Sequence, residues 1–277
     1  MEVYDDVLVP RLFEPWAHAL LDELALAAGE AVLDVACGPG SVSRLAAVRV
    51  GPAGRVVGCD FSAAMLAVAR GKPAPDAEAA PVEYLEAPAD ALPVEAECFD
   101  VAVCQQGLQF FPDRAAALGE LFRALRPGGR LGVAVWSAID DSPVFAALYE
   151  SLRDVVGDEL AERYRSGPWG RPDLDELRDL VAAAGFSDIR VERRTVDVAF
   201  EGGAAQFAST LAASGIAAEI DALPAEQRDE LAQAFERHTR PIDDDGTLRS
   251  STSSNLALAG RSARPTSADL PPRRPIR

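Results

Sequence analysis

The chain has 277 residues, of which 48% are apolar, 26% charged and 6% aromatic. Such a chain can bury a full-sized core, which excludes both an intrinsically disordered tail and a disulfide-stabilised miniprotein. Its 27 basic and 44 acidic side chains leave a net charge of −17, which repels nucleic-acid phosphates and anionic lipid head groups. We therefore expect a small-molecule partner, and neither nucleic acid nor a membrane.

The N-terminal sequence and the cysteines predict a cytoplasmic protein. The first ten residues, MEVYDDVLVP, carry acids where a signal peptide carries Lys or Arg, and no apolar run approaches the roughly 18 residues of a membrane span. The four cysteines follow no CxxC or paired spacing, and the only histidines are His18 and His238. We therefore expect free thiols in a reducing compartment and no metal site.

The first half of the chain alternates between strand and helix patterns. Residues 1–30 are predicted to form a helical cap, and five short Val-rich runs follow between positions 31 and 136. The predicted strands are Ala31–Ala36, Arg55–Cys59, Val82–Glu86, Phe99–Cys104 and Arg130–Trp136. This order predicts right-handed crossovers and a mainly parallel sheet. Before the last of these strands we expect a helix that Asp113 caps and that Pro127-Gly128-Gly129 ends.

The second half is predicted to add two strands and a helical lid. Helical insertions are expected near residues 138–170 and 203–240, and the strands are predicted at Ile189–Phe200 and Thr247–Ala259. Between the first insertion and the first of these strands, Asp173-x-x-Glu176 is typical of a capping box at a helix start.

The chain ends in a segment with little apolar content. Residues 261–277 contain five Arg and four Pro, a composition that cannot bury much apolar surface. We therefore expect one domain over residues 31–260, followed by a disordered tail.

A glycine loop follows the first predicted strand and opens a helix. Glycines such as Gly38 and Gly40 let a ligand approach the backbone, and free N–H groups at a helix start favour an anion. A dinucleotide fingerprint needs a third glycine, where this chain has Ser43. The preceding Asp34 would repel a pyrophosphate but attract a ligand that carries an ammonium group.

Three further features follow at successive strand ends. Asp60 closes the second predicted strand, where an acid can accept both ribose hydroxyls of an adenosine. Asp90 follows the third strand, and Pro127-Gly128-Gly129 precedes the fifth. Because the carboxyl ends of parallel strands share one edge of a sheet, these residues outline one nucleoside pocket.

These motifs resemble those of class I S-adenosylmethionine-dependent methyltransferases, in particular the ubiquinone/menaquinone-biosynthesis-like (methyltransferase type 11) group. The resemblance covers roughly residues 30–136 and rests on the D-x-x-C-G-x-G loop that begins at Asp34 and on the segment that begins at Asp60. It implies a Rossmann-like, doubly wound α/β sheet of about seven strands, the last antiparallel, with helices on both faces and a helical lid.

The resemblance also implies a cofactor site for S-adenosyl-L-methionine. In the family the glycine loop holds the methionine part, the acid after the second strand the ribose, and the residues that follow it the adenine faces. An acid after the third strand meets the adenine edge, and the end of the fourth strand lies beside the transferring methyl. The matching positions here are Asp34, Ala36, Gly38, Gly40, Asp60, Phe61, Met65, Asp90, Ala91 and Gln105.

Departures from the family pattern indicate the type of reaction. Gln109 stands where many relatives carry His, and Gln105 and Gln106 replace the acid pair of metal-dependent catechol methyltransferases. The Asn/Asp-Pro-Pro-Tyr/Phe signature for methylating amide or exocyclic nitrogens is absent from the sequence. We therefore expect metal-independent methyl transfer that depends mainly on positioning, with no catalytic base assigned.

The acceptor stays open at this point. We expect a small molecule with an O, N or C nucleophile, in a setting such as secondary metabolism, acted on by a monomer or homodimer. Candidate residues for the acceptor pocket are Trp136, Phe145, Tyr149 and Trp169. The alternatives are an NAD-dependent oxidoreductase, which Asp34 and Ser43 disfavour, and a protein that binds S-adenosylmethionine without methylating.

Overall fold

The computed structural model describes residues 4–169 and 171–263, which build one eight-stranded mixed sheet with helices on both faces. The strands are β1 (Ala31–Val35), β2 (Arg55–Asp60), β3 (Val82–Glu86), β4 (Phe99–Gln105), β5 (Leu125–Trp136), β6 (Ser187–Phe200), β7 (Asp243–Asp244) and β8 (Thr247–Gly260). Their order is β3-β2-β1-β4-β5-β8-β6, and β7 pairs with β8. Strands β1 to β5 pair in parallel, whereas β8 runs antiparallel to β5 and β6, as expected for the last strand.

The helices lie in two layers. A π-helical segment (Tyr4–Phe13) precedes α1 (Glu14–Leu24), α2 (Ser41–Val50), α3 (Ala63–Gly71), α4 (Arg114–Ala124), α5 (Pro143–Val155), α6 (Asp158–Arg165), α7 (Leu174–Ala183), α8 (Gly203–Ala208), α9 (Ala217–Ala222) and α10 (Ala225–Thr239). Among the described residues, no helix is both long enough and apolar enough to cross a membrane.

Alternate residues of the central strands face opposite layers. Val32 packs with α1, α2, α5 and α10 in one core, whereas Leu33 packs with α4 and α7 in the other. A strand that is covered on both faces has to be apolar at nearly every position. Strand β1 is buried along its whole length, and Asp34 is its one polar residue.

Two predicted helix starts are confirmed. The Asp113 carboxylate accepts the Ala116 N–H at 2.8 Å, and Asp173 and Glu176 form a reciprocal capping box at the start of α7. Helix α4 ends at Ala124, shortly before the predicted Pro-Gly-Gly stop, but the predicted start of the fifth strand at Arg130 was wrong, because β5 begins at Leu125 and includes that segment. The strand accommodates that segment through a shift of its register with β4.

The predicted boundary of the tail was wrong at Arg261. Its N–H donates to the Gly129 carbonyl at 2.9 Å, and its own carbonyl accepts the Gly128 N–H at 2.7 Å. Arg261 therefore extends the folded chain beyond β8. Residues 264–277, the rest of the predicted tail, lie outside the described residues.

The Arg261 side chain caps the end of α4. Its guanidinium donates to the carbonyls of Phe122 and Leu125 at 2.7 and 2.6 Å and pairs with Glu97 at 2.8 Å. The last carbonyls of a helix lack partners within the helix and carry partial negative charge. A cation from a distant segment satisfies them here, which no local sequence pattern indicates.

We predict that Arg261→Ala lowers the melting temperature by about 3 °C or more. The variant leaves the helix-end carbonyls without the guanidinium that they bond, at a cost of about 1–3 kcal/mol. Arg249→Ala is the matched control, because its ion pair with Asp244 is exposed on both sides. Thermal unfolding of the full chain measures both. Equal melting temperatures for the two variants would contradict this role for Arg261.

Candidate functional site

A cavity of about 930 Å³ lies at the carboxyl edge of the parallel strands. Asp34 of β1, Asp60 at the end of β2 and Gln105 at the end of β4 all line it. In open α/β sheets this edge is the usual place of a ligand site. The volume lies at the upper end of the range typical of small-molecule pockets.

Most of the predicted cofactor residues share this cavity. Those that line it are Asp34, Ala36, Gly38, Asp60, Phe61, Met65, Asp90 and Gln105. Gly40 and Ala91 lie outside the lining, and Ala91 is exposed. Gly40 has a positive φ of 83°, and a Cβ there would collide with the Tyr84 hydroxyl. Its role in the structure is therefore to shape the loop before α2.

The Asp60 carboxylate joins two loops of the site. One oxygen accepts the Gly38 N–H at 2.8 Å, and the other accepts the Ser62 N–H at 2.8 Å. Asp60 is only 7% exposed but lines the cavity. Each carboxylate oxygen has a second lone pair, so both can still accept a hydrogen bond from a ligand.

Asp34 is a buried acid beside the glycine loop. Its carboxylate accepts a hydrogen bond from the Ser43 hydroxyl at 2.6 Å. The pKa of Asp34 is raised to about 7, chiefly by burial and to a smaller extent by the nearby Asp60 charge, while the hydrogen bonds from Ser43 lower it. A cationic ligand group beside Asp34 would stabilise the ionised form.

The surroundings of Ser43 show how α2 and β2 pack closely without the third glycine of a dinucleotide fingerprint. A Cβ at Gly58 would lie 2.9 Å from the Ser43 Oγ, so α2 and β2 pack closely because β2 has a glycine. Close packing therefore depends on Gly58, while position 43 supplies a hydroxyl for Asp34. The sequence analysis did not single out Gly58, and only its place opposite Ser43 reveals this role.

Amide side chains after β4 form one wall of the cavity. The Gln105 Nε2 donates to the Phe13 carbonyl at 3.0 Å, whereas its Oε1 is buried without a hydrogen-bond partner. The Gln106 Nε2 donates to the Ser254 Oγ at 2.8 Å. Gln109 is buried behind this wall, outside the lining, near Gln106.

Apolar side chains from distant segments line the other half of the cavity, which we call the apolar half. It comprises Leu8, Leu12, Phe13, Trp136, Phe145, Leu148, Tyr164, Trp169, Leu211 and Ile216. The Trp169 ring lies 4.6 Å from the Phe145 ring and 5.6 Å from the Trp136 ring, measured between centroids. These three residues were among the candidates for an acceptor pocket.

The cavity is lined by Tyr164 and not by the predicted Tyr149. Tyr149 does not line the cavity, because its hydroxyl donates to Glu162. Tyr164, which the sequence analysis missed, does line it. The signal was present in the helical spacing of α6, since Tyr164 follows the buried Leu160 and Ala161 at i+4 and i+3.

His18 lies away from the cavity, whereas Cys37 is the one cysteine among the described residues that lines it. His18 is exposed, contacts Arg49 and does not line the cavity. The four cysteines are free, and burial raises the pKa of Cys59 and of Cys104 to about 12. In the part of the chain that the structure describes, no three His, Cys, Asp or Glu side chains come close enough to hold a metal ion.

Comparison with known proteins identifies the relatives of this chain. The model of the ubiE/COQ5 methyltransferase family matches residues 1–204. The demethylmenaquinone methyltransferase of Shouchella clausii is 31% identical over 204 residues, which cover 70% of this chain and 86% of that enzyme. The ubiquinone/menaquinone biosynthesis C-methyltransferase UbiE of Xylella fastidiosa is 30% identical over 194 residues, 67% of this chain and 77% of that enzyme.

Solved structures share the fold. The [4+2]-cyclase SpnF matches 91% of this chain and 82% of its own with a TM-score of 0.56 and 22% identity. A Haemonchus contortus phosphoethanolamine N-methyltransferase 2 in complex with S-adenosyl-L-methionine matches 89% of this chain and 52% of its own, with a TM-score of 0.55 and 21% identity. These likenesses confirm the Rossmann-like fold but do not define the reaction.

The family match defines the reaction instead. The family and the two relatives are named as methyltransferases. The comparisons therefore do not favour the two alternatives, an NAD-dependent oxidoreductase and a non-methylating binding protein. The matched region contains the strand ends that carry Asp34, Asp60 and Gln105. The chain therefore belongs to the ubiE/COQ5 methyltransferase family and is an S-adenosylmethionine-dependent methyltransferase.

Proposed function

We propose that this enzyme methylates a ring carbon of an apolar, hydroxylated ring compound without a metal ion. The observation that carries this proposal is the apolar half of the cavity, which continues directly from the predicted cofactor residues. The cofactor and a flat apolar acceptor would then share one enclosed space.

The predicted cofactor residues that line the cavity fit S-adenosyl-L-methionine. The unpartnered Gln105 Oε1 and the buried Asp34 carboxylate both suit the ammonium group of its methionine part. Asp60 retains lone pairs for the ribose hydroxyls. The Phe61 side chain is 77% exposed, and with Met65 it offers an apolar surface for the adenine. Asp90 lines the cavity where it would meet the adenine edge.

Positioning supplies the main catalytic effect in this proposal. When bound, the cofactor supplies an electrophilic methyl group on a sulfonium. The chain has to hold the nucleophilic atom in line with that methyl, about 3–3.5 Å away, and to exclude water. The Gln105 side chain is fixed for this purpose, because its amide donates to the Phe13 carbonyl of the N-terminal helix.

The lining of the apolar half narrows the choice of acceptor. An aliphatic amine is cationic at neutral pH, and its burial among side chains such as Trp136, Phe145 and Leu148 would be costly. A neutral aromatic ring instead gains from this surface. The relatives named as demethylmenaquinone and ubiquinone/menaquinone C-methyltransferases act on quinone-type rings by their names, which supports a ring carbon beside a hydroxyl as nucleophile.

Metal independence is part of the same proposal. Gln105 and Gln106, which line the cavity beside Asp34, carry neutral amides. Amides orient a hydroxyl through hydrogen bonds but are weaker ligands than carboxylates for Mg²⁺. We propose that these amides bind the ammonium group of the cofactor and orient the acceptor ring, and that they hold no metal ion.

We predict methylation of a reduced demethylmenaquinone with a short side chain. The full-length enzyme is incubated with S-adenosyl-L-methionine and this quinol, and the product is located by mass spectrometry and NMR. Methyl on a ring carbon, with turnover unchanged by EDTA, is the expected result. Phosphoethanolamine serves as the polar amine control and should stay unmodified. Methylation of the amine alone, or loss of turnover in EDTA that Mg²⁺ restores, would overturn the proposal.

We also predict that cofactor affinity falls as the pH drops below about 7. The raised pKa of Asp34 means that its carboxyl takes up a proton in this range, and a cationic ligand binds the ionised form. Affinity for S-adenosylhomocysteine should therefore fall by up to about tenfold for each pH unit between 7 and 5. Calorimetric titration at several pH values measures this dependence.

A pair of variants isolates the contribution of Asp34. Asp34→Asn should bind S-adenosylhomocysteine more weakly and lose the pH dependence, because it cannot ionise. Asp113→Asn is the control, since Asp113 also lines the cavity but caps α4, and Asn caps a helix about as well. If Asp34→Asn kept the pH dependence of the unmodified enzyme, another group would be responsible.

A further inference from the structure

Two hydrogen-bond donors lie in α6 and the segment up to Trp169, which we call the lid, and have no partner among the described residues. Tyr164, at the end of α6, lines the cavity and is 8% exposed, and its hydroxyl makes no hydrogen bond with any described residue. Trp169, five positions later, also lines the cavity. Its indole Nε1–H is buried and has no hydrogen-bond partner.

The fold pairs one other indole N–H and one other phenol hydroxyl. The Trp16 Nε1–H donates to the Thr252 hydroxyl at 2.9 Å, and the Tyr149 hydroxyl donates to the Glu162 carboxylate. Buried polar groups in folded proteins are nearly always paired, because an unpaired one loses its bonds to water without compensation. Two unpaired donors in the lining of one cavity therefore indicate a partner that is not part of the chain.

The chemistry of the two groups defines that partner. An indole N–H can only donate, and the Tyr164 hydroxyl is held in its neutral form because burial raises its pKa. The partner must therefore accept hydrogen bonds, as a carbonyl, ether or hydroxyl oxygen does. An ammonium group would leave both donors unpaired.

The surroundings of Trp169 define the rest of the ligand. Its ring contacts Phe145 and Trp136, with centroids 4.6 and 5.6 Å away. Trp136 in turn contacts Phe13, whose carbonyl accepts the hydrogen bond from Gln105. Aromatic rings therefore connect Trp169 to the end of β4. A flat apolar ligand fits this aromatic lining.

We propose that Tyr164 and Trp169 form an oxygen-binding subsite that positions the acceptor from the lid side. The inference rests on the proposed function for the place of the acceptor in the apolar half. The ligand class is a neutral ring compound with an oxygen atom that accepts hydrogen bonds. Both side chains are positioning residues, because the proposed function places the reacting carbon beside Gln105 and away from Tyr164 and Trp169.

Binding of two matched probes tests the subsite without any turnover. The ketone 1-tetralone and the hydrocarbon tetralin share one bicyclic body, and only the ketone has an oxygen acceptor. Calorimetric titration into the full-length enzyme saturated with S-adenosylhomocysteine should show about tenfold tighter binding of 1-tetralone, the factor expected for a hydrogen bond formed in an apolar cavity. Tyr164→Phe should remove most of this preference while the affinity for tetralin stays the same.

Control variants separate this role from a structural one. Tyr149→Phe makes the same chemical change outside the cavity and should keep the full preference for 1-tetralone. Trp169→Phe should reduce the preference as Tyr164→Phe does. With the quinol substrate, Tyr164→Phe should raise KM about tenfold, with less effect on kcat and none on S-adenosylhomocysteine affinity.

The outcomes distinguish the two proposals. Equal affinities for 1-tetralone and tetralin, failure of both probes to bind, or equal behaviour of Tyr164→Phe and Tyr149→Phe would each overturn the subsite. A clear preference for 1-tetralone together with no methylation of the quinol would support the subsite and refute the proposed acceptor.

Discussion

The site depends on one carboxylate that serves two loops. Asp60, at the end of β2, accepts the Gly38 N–H from the loop after β1 and the Ser62 N–H from the loop before α3. Backbone N–H groups at the edge of a buried site need such partners. Because one buried side chain satisfies both, the loops keep the spacing that a nucleoside ligand needs before any ligand arrives. The two loops that contact Asp60 are thus held in place by the hydrogen bonds of the protein itself.

The sheet and the grouping of Asp34 with Asp60 at one cavity could be predicted from the sequence, because both depend on local patterns. A parallel strand that is buried on both faces has to be apolar throughout, so β1 and β4 stand out as Val-rich runs. The chain order then places Asp34 and Asp60 at the same edge. Helix caps such as Asp113 are equally local, since the side chain and its partner are three residues apart.

Other features could not be predicted, because they join residues that are distant in sequence. Arg261 looks like the start of a polar tail, yet it caps α4 from more than 130 residues away. The apolar half combines Leu8, Tyr164 and Ile216 from three separate segments. Helical spacing indicates that such residues are buried, but only the fold shows which of them face one another. Unpartnered groups such as the Trp169 N–H become visible only there.

The central claim is that Asp60 both orders the loops and binds the ribose of the cofactor. Calorimetric titration of S-adenosylhomocysteine into the unmodified enzyme and into Asp60→Asn tests it most directly, because the amide keeps the shape but loses the charge and one acceptor oxygen. The account predicts binding by the unmodified enzyme and at least about tenfold weaker binding by the variant. Equal affinity of the two proteins, or no binding by the folded, unmodified enzyme, would contradict it.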